Sequence, residues 1–225
     1  MTPLPPPLRD RLLAHVASRP SPNRTDRVRR GWFLSIAAAF VVVAIVLHAG
    51  PDIHVRTPAI IVTCAGLTLA VAIAASWWTL STAKSMLGRP RPWLRAMAWL
   101  VPAAWVATFA LVNLVWPERA VAWSLGNLEP HFHIPCVENT LLLAVAPFAA
   151  VFVARWRSDP VAPATTGAAL GTVAGAWAVV AITLVCPRVD LLHVMVAHLL
   201  PAACLVVMGT ALGTWALGLR WKRSR

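Results

Sequence analysis

An all-α, polytopic membrane protein of six transmembrane helices, with both termini in the cytoplasm, is the fold class predicted by three observations. The first is composition: of 225 residues, 59% are hydrophobic and 12% charged, and the mean hydropathy is +0.69. Soluble domains average about 45–50% apolar and roughly 25% charged residues, so too few charges are present to solvate a globule of this size. The second is length, since the chain contains six apolar runs near the roughly 20 residues that cross about 30 Å of hydrocarbon as helix. The third is charge placement: 17 of the 20 Lys and Arg residues fall in segments that this topology puts on one side of a membrane. Together these exclude a soluble enzyme, a disordered tail and a disulfide-rich secreted module.

Residues 1–31 form a cytoplasmic arm, the one polar segment of useful size. Pro3 to Pro7 is extended, and Leu8 to Val16 reads as a short amphipathic helix ended by Pro20 and Pro22. Leu8, Leu12, Leu13 and Val16 recur at helical spacing, with Arg9, Asp10 and Arg11 on the other faces. A helix this short is marginal alone in water, so its apolar stripe calls for a partner: the lipid surface, the bundle's own loops or another protein. Residues 32–218 form the six-helix bundle, with spans expected at Trp32–Gly50, Pro58–Leu80, Trp93–Trp116, Val137–Ala154, Ala164–Val185 and Leu192–Gly218. Residues 219–225 are a basic cytoplasmic tail.

Orientation follows from the basic residues, which cytoplasmic loops retain. The arm, the second and fourth connections and the tail carry all of them except Arg56, Arg119 and Arg188. The net charge of +12 is therefore a topological signature spread over four segments, not a groove-sized patch, and no direct nucleic-acid partner is expected. Trp32, Trp77, Trp78, Trp93, Trp156 and Trp221 fall near the inner interface and Trp116 and Trp123 near the outer one, as the amphipathic indole prefers. The first apolar run begins only at residue 32 and is long enough to anchor, so no cleavable signal peptide is expected.

Within the bundle, Gly167, Gly171 and Gly175 in the fifth span and Gly209 and Gly213 in the sixth are spaced by four, which stacks them on one face for close helix packing. Pro102, Pro147 and Pro201 lie inside spans and are expected to kink them. All Asp and Glu residues fall in loops or at span ends, and Asn113 and His198 are the main polar groups within the apolar runs. Ion coupling normally needs midplane charges, so this pattern argues against a pump. A Walker loop, an HExxH motif and a paired carboxylate are all missing from the sequence, so no enzyme activity is expected.

Cys136 precedes the fourth span and Cys186 follows the fifth, so the topology brings two thiols 50 positions apart to the outer face. His131, His133, Glu138, Asp190 and His193 lie near them in sequence, with His54 on the same side. Three readings are open: a disulfide tying two helix ends, which an oxidising periplasm would preserve; a redox- or metal-responsive pair with His131, His133 and His193 as auxiliary ligands; or inert buried thiols. Thiolate and imidazole suit zinc, cadmium or copper(I), although no CxxC or zinc-finger spacing is present. No resident cofactor is required, and a transient heavy-metal ion is the candidate ligand. Cys64 and Cys204 read as small packing residues, and His198 as a hydrogen-bonded interior histidine.

Cys186-Pro187, Leu191-Leu192 and His198-Leu199-Leu200-Pro201 resemble the C-terminal signature of NrsF-type anti-sigma factors, six-span inner-membrane regulators of extracytoplasmic-function sigma factors. Pro135-Cys136-Val137-Glu138, leading into Leu141-Leu142-Leu143 and Pro147, is similar to that family's other cysteine motif, and the arm ending in Arg27-Val28-Arg29-Arg30 resembles its cytoplasmic segment. The resemblance implies that the arm and inner loops hold a sigma factor at the membrane and release it on a stress signal, by conformational change or proteolysis. It also implies that the family's two sensing cysteines correspond to Cys136 and Cys186. The chain departs from the family in having Ala197 before the HLLP segment, where an aromatic is usual, and in its Pro-rich arm. Light-responsive membrane anti-sigma factors of myxobacteria are similar in size and layout, which adds singlet oxygen to redox and heavy metal as expected signals. A small permease or metal-ion exporter and a membrane thiol oxidoreductase are the alternatives; oligomeric state is not legible.

Overall fold

Proline opens most of the helices. The computed structural model describes residues 10, 14, 22–48, 58–80, 91–116, 130–155, 162–186 and 188–217. Its long helices are α1 (Pro22–His48), α2 (Pro58–Leu80), α3 (Arg91–Val115), α4 (Pro130–Arg155), α5 (Pro163–Val185) and α6 (Leu191–Ala216). Pro22, Pro58, Pro130 and Pro163 each stand at a first helical position, where the missing N–H costs nothing and φ is already set. Six helices are long and apolar enough to cross a membrane, and no strand occurs among the described residues.

Two helices start earlier than the apolar runs suggest. α1 begins at Pro22 rather than Trp32, so the end of the expected arm is already helical, and α4 begins at Pro130 rather than Val137. In both, the polar lead-in residues continue the helix back to a proline, because a helix does not have to stop where hydrocarbon begins. Cys136 therefore sits inside α4, not before it.

α5 is the hub: it packs against α1, α2, α3, α4 and α6, and most extensively against α6. Its sequence explains this, since Gly167, Gly171, Gly175 and Ala169, Ala174, Ala176 and Ala178 leave little side chain to hold neighbours away. A Cβ at Gly167, Gly171, Gly209 or Gly213 would strike backbone of the facing helix, so α5 and α6 touch main chain to main chain. Ser76 on α2 accepts a hydrogen bond of 2.9 Å from Trp177 Nε1 on α5. Thr68, Thr108, Thr172, Thr183 and Thr210 bond carbonyls one turn back, which satisfies hydroxyls that face an apolar interior.

The outer surface is inverted relative to a soluble protein. Leu47, Trp99, Leu114, Val153 and Trp215 are each more than 70% exposed. An apolar belt of this extent is what hydrocarbon solvates and water does not.

Candidate functional site

The α5–α6 connection is short and firmly held. α5 stops at Val185, and Cys186 turns extended (φ −72°, ψ 126°) while its N–H bonds the Ile182 carbonyl. Asp190 caps α6, accepting the His193 N–H at 3.0 Å and Arg188 Nε at 2.8 Å. From α3, Asn113 Nδ2 donates to the Val189 carbonyl at 2.9 Å and to its own helix at Phe109. Asp190, with its Arg188 partner, and Asn113 thus fix the connection that presents Cys186 and His193.

α4 brings Cys136 against this connection. The Cys136 and Cys186 sulfurs lie 3.5 Å apart, and Cys186 Sγ is 3.3 Å from His193 Nε2. His198, one turn along α6, meets the His193 ring edge-on with centroids 5.2 Å apart. One donor atom from each of Cys136, Cys186, His193 and His198 lies within 4.8 Å of all the others. A tetrahedral site with metal–sulfur and metal–nitrogen bonds of about 2.3 and 2.0–2.1 Å has edges of about 3.4–3.8 Å. The Cys136–Cys186 and Cys186–His193 edges match that figure to within a few tenths of an ångström, and the remaining edges, at up to 4.8 Å, would close on a bound cation.

The environment is unusual for such polar groups. Cys186, His193 and His198 are all buried, and among the described residues neither ring nitrogen of His198 has a hydrogen-bond partner. A buried imidazole in that state forfeits the hydration of two polar atoms, a cost of about 1–3 kcal/mol each. Ligation of a metal at one nitrogen would recover part of that cost. Sequence reasoning treated His198 as a hydrogen-bonded interior histidine; it is interior, with Cys136, Cys186 and His193 as its polar neighbours.

The other expected site residues divide. His133 does not enter the donor group: its Nδ1 lies 3.1 Å from His193 Nδ1 and the rings stack, so it engages the nitrogen of His193 that faces away from the sulfurs. That is the place of a group that fixes the tautomer and direction of a ligating imidazole. Glu138 points outward from α4. The side chain of His131, residue His54 and the arm positions Leu8, Arg9, Arg11, Leu12, Leu13 and Val16 lie outside the described residues. Cys64 is buried in the core, whereas Cys204 is exposed on the outer face of α6.

The whole bundle, including both cysteine neighbourhoods, matches the family model NrsF, negative regulator of sigma F, over residues 12–221. The chain belongs to this family. It is accordingly a negative regulator of a sigma factor, and a sigma factor is its partner. The NrsF family is one of regulators, not of enzymes. No curated protein and no solved structure matches the chain.

Proposed function

We propose that this chain is an inner-membrane anti-sigma factor that holds an extracytoplasmic-function sigma factor through its cytoplasmic arm and releases it when a heavy-metal ion binds at Cys136 and Cys186. Membership of the NrsF family supports the regulatory role, and the positive-inside distribution supports a cytoplasmic arm. The observation that carries the sensing role is the convergence of the two thiols and two imidazoles on one buried point. The charge pattern supports an outer-face position for this end of the bundle, where it would meet a metal before the cytoplasm does.

Magnitudes favour metal over a disulfide as the main signal. Driving a two-state equilibrium from 1:99 to 99:1 takes about 5.5 kcal/mol of differential stabilisation. A ligand that binds one state only supplies RT ln(1 + [L]/Kd), so a free concentration near 10⁴ times Kd is enough. A disulfide is typically worth about 2–4 kcal/mol. Sulfurs 3.5 Å apart are nonetheless close enough to join after a small approach, which makes oxidant a second signal at the same pair.

The test is a reporter for the partner sigma factor. Wild-type protein should repress it at rest and derepress it on cadmium, while the Cys136→Ser/Cys186→Ser double variant should repress but not respond. Full cadmium response in the double variant would remove the thiols from sensing.

A further inference from the structure

His193 and His198 are five residues apart. At 3.6 residues per turn, five residues rotate about 140° away from alignment, so an uninterrupted α-helix would send the two imidazoles to different faces. The structure avoids this with a π turn at Met195–Leu199, in which the Leu200 N–H reaches back five residues to the Met195 carbonyl. A turn closed over five residues returns the side chain to nearly the same face, and both rings then face Cys136 and Cys186.

Pro201 stands just after the π turn and favours it. Proline has no N–H to offer the carbonyl four residues back, and its ring clashes with that carbonyl in α geometry. Here that carbonyl is Ala197, and widening the helix by one residue relieves the clash. Thr140 on α4 provides the missing donor: its hydroxyl lies 3.1 Å from the Ala197 oxygen, and 2.7 Å from the carbonyl of Cys136 on its own helix. Thr140 is fully buried, so nothing but these two carbonyls competes for its proton. One hydroxyl thereby spans the backbone of a sensing cysteine and the turn that carries His198.

We propose that the π turn built by Pro201 and Thr140 makes His198 a metal ligand, completing a Cys2His2 site for a tetrahedral soft or borderline cation, and that Thr140 is its positioning residue. This rests on the metal-sensing reading above. An α-helical register at Met195–Leu199 withdraws His198 and leaves three donors. The turn is therefore also the point at which occupancy of the site fixes the register of α6.

The test uses the full-length protein in detergent, with cobalt(II) as the spectroscopic probe and cadmium(II) for affinity. Wild type should bind one cobalt(II) with the intense visible bands of a tetrahedral S2N2 site. His198→Ala should weaken cadmium affinity by at least the roughly 10–100-fold that follows loss of a group that merely orients a ligand, and change the cobalt spectrum. Thr140→Val, the loss of a positioning group, should weaken it about 10–100-fold and add little on top of His198→Ala, while Thr140→Ser should restore wild-type behaviour. Pro201→Ala is a second probe of the turn; if it loses helical content, Thr140→Val, which leaves the backbone of α6 unaltered, carries the comparison. Wild-type affinity and spectrum in Thr140→Val would overturn the positioning role, and the same result in His198→Ala would overturn the four-donor site. Sigma-factor retention by the wild-type protein without metal, measured on the same preparation, tests the anti-sigma reading separately from the metal site.

Discussion

Replacing Gly171 by alanine adds a methyl group where no space exists. A Cβ there would stand 2.8 Å from the Leu205 carbonyl carbon and 2.9 Å from Val206 Cα, and closer still to the Leu205 oxygen, all of them backbone. Ordinary carbon contacts begin at 3.4 Å, so α6 must retreat by at least about half an ångström along a contact that has no flexible side chain to yield. Overpacking of this kind costs about 1–3 kcal/mol. Two neighbours provide the scale. At Gly175 the nearest atom is the Ala202 Cβ at 3.1 Å, so a smaller loss is expected; at Gly66 nothing lies within 4 Å, and alanine should be neutral or mildly stabilising. Thermal unfolding in one detergent, read by helical signal and by retention on size exclusion, should rank the variants Gly66→Ala, Gly175→Ala, Gly171→Ala from most to least stable. Equal stability of Gly171→Ala and Gly66→Ala would refute the main-chain contact between α5 and α6.

The remaining predictions concern the site and the arm. Cys136→Ser and Cys186→Ser should each abolish derepression by cadmium with little change in resting repression, read with a reporter for the partner sigma factor. Asn113→Ala removes the donor to Val189 and should lower cadmium affinity by up to about 10-fold through a looser Cys186–Asp190 connection, with helical content unchanged. Leu12→Asp with Leu13→Asp should release the sigma factor while the protein still inserts in the membrane, checked by fractionation and co-purification. Continued repression by that double variant would place sigma-factor capture elsewhere than on the apolar stripe of the arm.

The bundle was readable in the sequence because membrane helices are written in long, unambiguous signals. Six apolar runs, the four-residue spacing of Gly167, Gly171 and Gly175 and the segregation of arginine each report one physical requirement, and none depends on distant contacts. The meeting of Cys136 and Cys186 was readable too, since helices that alternate direction bring alternate connections to one face. What escaped were features set by local breaks of the α-helix. Cys136 was placed before its span because hydropathy marks hydrocarbon, whereas the helix extends back to Pro130. His198 was set aside as an interior histidine, the commoner role for an imidazole within an apolar run, and only Pro201, three residues further on, hinted at a break in the helix there. His133 was grouped with the ligands by nearness in sequence, while its contact is with the far nitrogen of His193, a distinction of one ring width that spacing does not carry.

On the proposed reading, these features give the chain a physical route from the site to the other end of the bundle. Cys186 ends α5 and His193 opens α6, and the two helices then run in main-chain contact from Gly175 to Gly213. On that reading, a change in register at the Met195–Leu199 turn meets no compressible side chain along that seam and is felt along the length of both helices. Interfaces packed this closely change between discrete arrangements instead of deforming smoothly.

The most direct test is retention of the sigma factor by purified protein as metal is added. Full-length protein with its sigma factor bound is immobilised under reducing, metal-free conditions and titrated with cadmium(II), beside the Cys136→Ser/Cys186→Ser variant. Release from wild type near one equivalent of cadmium, with retention by the variant, is the result this account predicts. Retention by wild type at saturating cadmium, or equal release from both proteins, would contradict it.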